Sequence, residues 1–175
     1  MTKIGCGKSH LVVLLENGNI YVGGNNQKGQ LNYNPVVTPR IEGKLEFHAE
    51  INEKYNVMDI GWGSNHTVLI VKENGWLEGR KKILTWGYHG WLGIDDVIED
   101  DYQLHEVTIP DLESCDNIEF LICKFNSNAV IDNENNFYYW GDEFDSFRVR
   151  IPEKKNLFNK RIVDVSFGLR HVIFL

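Results

Sequence analysis

Three stretches of this 175-residue chain carry residue types that do chemistry in other proteins. Gly5–His10 reads Gly-Cys-Gly-Lys-Ser-His, with a Lys-Ser pair after glycine as in a phosphate-cradling loop. Such a loop needs G-x-x-x-x-G-K-[ST], because the glycines let backbone N–H groups wrap the phosphates while the lysine reaches the outer ones. Thr2 stands where the first glycine belongs, and the Leu11–Leu15 run that follows is apolar and β-branched rather than helical. Phosphate chemistry is not expected here. The stretch from Asp132 to Glu143 has the length of a calcium loop, yet Phe137 replaces the obligatory sixth-position glycine and Glu134 stands third. A hairpin is the better reading. Finally, Asp95, Asp96, Glu99, Asp100 and Asp101 place five carboxylates within seven residues. Paired carboxylates do acid–base work where an apolar pocket raises one pKa, and nothing around these forms one. Their mutual repulsion favours a solvated loop, which is a candidate surface for a basic partner before it is an enzyme site.

His10, His66 and His171 share one spacing from a preceding glycine: Gly7–His10, Gly63–His66 and Gly168–His171. A zinc site needs donors converging within about 2 Å of one ion, whereas positions recurring once per repeat are held a repeat apart. Each is therefore expected to be fixed by a backbone hydrogen bond beside its glycine turn. His48, His89 and His105 are unrepeated and lack Ser, Cys or Asp at an informative spacing, so no catalytic triad is expected. The three cysteines have no C-x-x-C spacing, which points to neither a metal site nor a disulfide framework, and no cofactor is implied. Cys6 and Cys123 lie among apolar residues and read as core.

The bulk numbers narrow the class. Hydrophobic residues make up 42% and charged ones 25%, an ordinary globular balance, and the net charge of −7 disfavours nucleic acid as a direct partner. Arg80–Lys82 and the group Lys154, Lys155, Lys160 and Arg161 read as solvated loop residues. No apolar run approaches the roughly 20 residues of a membrane span, and no secretory leader is visible, so an intracellular protein, cytoplasmic or nuclear, is expected.

The elements that must position these residues repeat. Each copy opens with an apolar lead-in, then a glycine turn and the histidine, then a continuous apolar run: Leu11–Leu15, Val68–Val71, Ala129–Ile131 and Val172–Leu175. Continuous rather than alternating apolar character implies strands covered on both faces. Asn-Gly or Asn-rich turns follow, at Glu16, Lys72 and Asp132, and a second strand ends on Gly24, Trp86-Gly87 or Trp140-Gly141. In the third copy Phe125 and Asn128 stand where glycine and histidine are expected. No convincing amphipathic helix is found. All-β repeats of 50–60 residues, one four-stranded antiparallel sheet each, point to a β-propeller. The chain reads as a single domain, 1–175, with repeats at 4–56, 57–117, 118–161 and an incomplete 162–175: about three blades plus one strand of a fourth.

The stretch from Ile4 to Asn32, ending in Gly-Gln-Leu-Asn, together with Gly63–Ile70 and Thr85–Gly93, resembles the repeats of the regulator of chromosome condensation (RCC1) family. The resemblance implies a seven-bladed ring, of which this chain would encode about half. It leaves three outcomes open: a fragment, a short array capped by a partner, or two half-rings completing one disc. It also implies packing of Trp86, Tyr139 and Trp140 between blades, whereas Trp76 and Trp91 fall outside that zone and, with the acidic loop, are candidate interface anchors. The expected function is a non-enzymatic protein–protein scaffold. The alternative is guanine-nucleotide exchange on a small GTPase, as the founding family member performs.

Overall fold

The computed structural model describes residues 3–75, 80–95, 101–142, 148–155, 161–168 and 172–175. The first sheet is a meander of β1 (Lys3–Cys6), β2 (His10–Leu14), β3 (Ile20–Asn25) and β4 (Arg40–Phe47). The second runs β5 (Tyr55–Trp62), β6 (His66–Glu73), β7 (Lys82–Gly87), β8 (Asp101–Glu106). The third runs β9 (Ile118–Lys124), β10 (Ser127–Asp132), β11 (Phe137–Asp142), β12 (Arg148–Lys155). All pairs are antiparallel, and β13 (Val165–Phe167) with β14 (Val172–Phe174) begins a fourth sheet. The fourth copy thus supplies two strands rather than one, because the apolar lead-in of every copy is itself the innermost strand. Those inner strands β1, β5, β9 and β13 pack on one another in succession, as blades do around an axis.

Stacking of blades explains the continuous apolar runs. In β6, Leu69 and Val71 enter the core shared with the first sheet, while Val68 and Ile70 enter the core shared with the third. Period-two alternation therefore serves two interfaces, and every residue from His66 to Val71 is buried. The outer strand β4 has one neighbour only and is mostly exposed; its Arg40–Glu42 and Lys44–Glu46 pairs are surface ion pairs, worth about 0–1 kcal/mol each.

Local chemistry closes each hairpin. Gly18, Gly75 and Asn135 take positive φ at the three β-turns, which glycine adopts freely and asparagine tolerates. The third turn is organised by Asp132: its Oδ1 accepts from the N–H groups of Glu134 and Asn136, and its Oδ2 from the Asn136 amide and the Tyr138 hydroxyl. A carboxylate with these partners is a turn device, and no cluster of metal-ligating side chains occurs among the described residues. Burial and the neighbouring Asp132 push the Tyr138 hydroxyl up to about 12.

The aromatic-glycine ending of the return strands proves to be a bulge. Pairing with the outer strand shifts register between Val22 and Gly24, between Thr85 and Gly87, and between Tyr139 and Gly141. Gly24, Gly87 and Gly141 all have φ between +100° and +118°, and a Cβ there would overlap the backbone carbonyls of Ser9, Asn65 and Asn126. One short helix, α1 (Ala49–Lys54), does form between the first two sheets, contrary to expectation. Its six residues are too few for a periodic signal, and His48 Nδ1 caps it by accepting from the Ile51 N–H. Among the described residues no helix is long and apolar enough to cross a membrane.

The bulge glycines yield a graded prediction. Gly43→Ala, at φ +71° with open space around it, should cost about 1 kcal/mol from backbone strain alone. Gly87→Ala adds collision with the Asn65 carbonyl and should cost about 3 kcal/mol or more. Urea unfolding of both variants checks this, and equal losses would contradict the bulge's role.

Candidate functional site

His10 and His66 lie in the seams between blades. The ring of His10 lies over Gly7 and that of His66 over Gly63, so a Cβ on either glycine would overlap its imidazole. Each glycine N–H donates to the carbonyl of its histidine, closing the two-residue turn (Gly7 N to His10 O 2.9 Å; Gly63 N to His66 O 3.0 Å). The imidazole then reaches into the next blade, where its partner is a side chain and not the backbone group expected from the glycine turn. His66 Nε2 donates to Asn128 Oδ1 at 2.7 Å, and Asn128 Nδ2 donates to the Trp91 carbonyl at 3.0 Å, which fixes the amide's orientation. In the preceding seam the Thr67 hydroxyl donates to the Gln30 carbonyl and accepts from His10 Nε2, both at 3.3 Å. Gln30 and Trp91 hold equivalent places, each followed by a buried leucine and a positive-φ residue, Asn32 and Gly93. The same rule thus ties blade one to two and blade two to three.

Strand register corrects the reading of the third copy. His10 pairs with Gly24 and His66 with Gly87, but the residue opposite Gly141 is Ser127, not Asn128. Ser127 takes the histidine's place, Lys124 the glycine's, and Asn128 the place of Thr67. The offset arose because Asn128 looks like a polar stand-in for histidine, when it is the acceptor for the histidine one blade earlier. Its signal was present in the polar residue after the histidine in the second copy, Thr67.

Both imidazoles are neutral. With Nε2–H donating, Nδ1 is a bare acceptor, and on both rings it is buried without a partner among the described residues. Burial holds His10 and His66 down to about 4 from the ordinary 6.5; the His10 shift is deepened by His66, and that of His66 outweighs its bond to Asn128. Burial lowers His48 too, where Tyr33 stacks on it at 4.8 Å.

Trp86 and Trp140 are fully buried, and Trp86 Nε1 donates to the Gln30 carbonyl at 2.9 Å, across the first seam. Trp91, expected on the surface, is only 9% exposed: its Nε1 donates to Asp142 Oδ1 and its ring packs on Tyr88 at 4.2 Å. It is a strut between the second and third blades. Cys123 is buried as expected, with its thiol pushed up by burial, but Cys6 is exposed, because among the described residues no blade covers that face of the first sheet. Asp95 is exposed, and the backbone of Asp101 begins β8. Gly168 follows β13 and is half-buried. His171, Trp76, Asp96, Glu99 and Asp100 lie outside the described residues.

The roots of the variable connections are held. Lys82 Nζ pairs with Glu73 at 2.7 Å and Glu106 at 3.4 Å. Lys81, read as solvated, donates its N–H to Asp116 Oδ1 and its ammonium to the carbonyls of Asp116 and Ile118. The connection beyond β7 is anchored by Trp91, and Asp142 Oδ2 also accepts from Asn126 Nδ2 at 2.7 Å. In the first blade Asn26 knits the long connection, donating to the Tyr33 and Thr38 carbonyls and accepting from the Leu31 N–H.

Comparison with known proteins agrees with this geometry. Residues 1–30 match the regulator of chromosome condensation (RCC1) repeat. Human WBSCR16 superposes with a TM-score of 0.72 at 16% identity, over 99% of this chain and 44% of that one. Yeast RCC1 (Prp20), in a structure with Kap60 bound to it, gives 0.75 at 18% identity, over 99% and 41%. Prp20p from Saccharomyces cerevisiae, described with its binding to Gsp1p and histones, gives 0.72 at 18%, over 99% and 42%. The shared property at these identities is the fold, an all-β propeller of RCC1 type, and this chain spans less than half the length of each. No curated protein matches the chain.

The neutral seam histidines predict acid sensitivity. An unfolded chain takes a proton near 6.5 and the folded one only near 4, so their contribution is complete above pH 6.5 and is lost as pH falls. The slope is about 1.4 kcal/mol per pH unit for each ring. His66→Gln keeps an N–H for Asn128 and does not titrate. Its denaturation midpoint should fall less than that of the wild type between about pH 7 and about pH 5. Parallel losses in the two proteins would contradict the assignment.

Proposed function

We propose that this array of RCC1-type blades is a non-enzymatic scaffold that offers to protein partners the connections within residues 76–82, 94–105 and 142–158, stretches that also take in Lys82 of β7, most of β8 and all of β12. The observation that carries the reading is the anchoring of those connections at their roots by Lys81, Lys82, Trp91 and Asp142. A connection held at its base by the sheets presents its tip at a low cost in lost conformational freedom. The seam histidines support binding over acid–base chemistry, since both are buried and committed to neighbouring blades. The acidic segment 95–101, on a chain of net charge −7, favours a partner with a basic surface.

A second reading, guanine-nucleotide exchange on a small GTPase, is favoured by the structural similarity to Prp20p, a protein described as binding Gsp1p. Faster nucleotide release from a purified GTPase at substoichiometric amounts of the chain would assign it.

The scaffold reading is tested by affinity capture with two baits, the wild-type chain and a variant carrying Trp76→Ala, Asp95→Asn, Asp96→Asn, Glu99→Gln, Asp100→Asn and Asp101→Asn. Partners recovered by the wild type should fall at least about tenfold on the variant, the loss of roughly 1.4 kcal/mol of binding. An unchanged set of partners would overturn it.

A further inference from the structure

The two ends of the described array expose the two faces that meet each other in its interior. Alternation along β2 sends Val12 and Leu14 into the core shared with the second sheet and leaves Leu11 and Val13 on the opposite side. Cross-strand pairing puts Ile4, Cys6, Tyr21 and Phe47 on that same opposite side. No other sheet among the described residues packs on it: Cys6 is exposed, Ile4 is 58% exposed and Phe47 44%, and Val13 is covered only within its own sheet, whose strands pair it with Ile4 and Tyr21. At the far end, Ile173 and Leu175 hold the places of Val12 and Leu14 and are 62% and 77% exposed. Ser166, paired with Ile173 as Gly5 is with Val12, is exposed beside them.

We propose that these faces dock on each other between two copies of this chain, the first sheet of one on the last sheet of the other. The contact is heterologous, so a closed pair uses it twice. Continuity with the internal seams is what argues for a second copy. Inside the array, the residue before the turn glycine enters the preceding sheet at a glycine: the Trp62 ring fills the space where Gly5 lacks a Cβ, and Cys123 Sγ does the same at Gly61. Cys6 is that entering residue on the exposed first sheet, and Ser166 is the receiving position on the exposed last one. The receiver need not be glycine, since Ile122 stands there in the third sheet and β13 still packs on β9. Leu11, in the place of Thr67 and Asn128, makes the first face apolar at the point where the inner seams carry their polar hook. The inference rests on seam geometry and not on the display of connections, so the two readings fail separately.

Sedimentation of the full chain over a concentration series, with three variants, tests it. The expected result is a mass rising to twice that of the monomer. Ser166→Cys treated with diamide should give a disulfide-linked dimer that is absent when Cys6→Ser is added. Ile4→Lys, at an exposed position outside the cores, should weaken association at least about tenfold. Monomer mass at every concentration overturns the proposal. So does a dimer that is indifferent to Ile4→Lys, or a crosslink that survives Cys6→Ser. Should Ser166→Cys fail to fold, the wild-type mass and the Ile4→Lys response decide between the same outcomes.

Discussion

A buried imidazole that donates forward into the next blade sets the spacing of this molecule. In both histidine seams Nε2–H meets an oxygen, of Thr67 or Asn128, and that acceptor residue donates back to a carbonyl of the blade that owns the histidine, Gln30 or Trp91. The three-membered exchange leaves the donor of each ring and of each acceptor residue matched within the seam. A buried polar group left unmatched would cost about 1–3 kcal/mol, more than the net gain from an ordinary bond, so the seam tolerates little sliding of one sheet over the next. The glycine requirement follows from the same ring. Gly7 and Gly63 are bare because the imidazole occupies the space a side chain would need.

Around that contact the blades are joined at two further radii. Near the axis, the turn N–H of Lys8 donates to the Ser64 carbonyl and that of Ser64 to the Phe125 carbonyl, so successive turns are stitched to each other. Farther out, Trp91 and Trp86 cross the seams with their ring N–H groups. Between them lie the two apolar cores, into which β6 feeds alternate side chains. Polar contacts specify register while buried area supplies most of the stabilisation, about 1.5–3 kcal/mol for each fully buried Val, Leu or Ile.

The last seam departs from this rule. Ser127 replaces the histidine and bonds within its own blade, to the Tyr139 hydroxyl and the Asp142 carbonyl, and Val172 stands where Thr67 and Asn128 stand. Among the described residues, what joins the third and fourth sheets is mainly apolar: Phe137 meets Phe174 edge-on at 5.2 Å, Tyr139 lies against Phe167, and Ile162 and Val165 complete the cluster, with one bond from the Ile162 N–H to Asn135 Oδ1 at 2.6 Å. An apolar contact fixes orientation less sharply than a hydrogen-bonded one, but it needs no matched partner. Among the described residues, the first two seams are therefore held by a polar hook and the last mainly by apolar side chains, on a single backbone plan.

Much of the plan was legible in the sequence because its signals are local. An Asn-Gly turn, a Trp-Gly bulge and a doubly buried strand each depend on residues a few positions apart, so their chemistry survives in linear order. The features that escaped notice depend on a neighbouring sheet. The sequence placed Cys6 among apolar neighbours, but whether they are covered is settled by what stacks on the first sheet. Trp91 looked free in its loop and is buried because Asp142, 51 residues later, receives its N–H. Asn128 looked like a substitute histidine, and only the pairing of Ser127 with Gly141 reveals it as the partner of His66. The chain by itself determined where the inner strands and their hairpins lie and that they repeat, since backbone conformation answers to near neighbours, but it did not mark the outer strands β4, β8 and β12. Tertiary structure decided which polar atoms meet, which faces are covered and which histidines are buried, since those answer to contacts from 37 to 62 residues away along the chain.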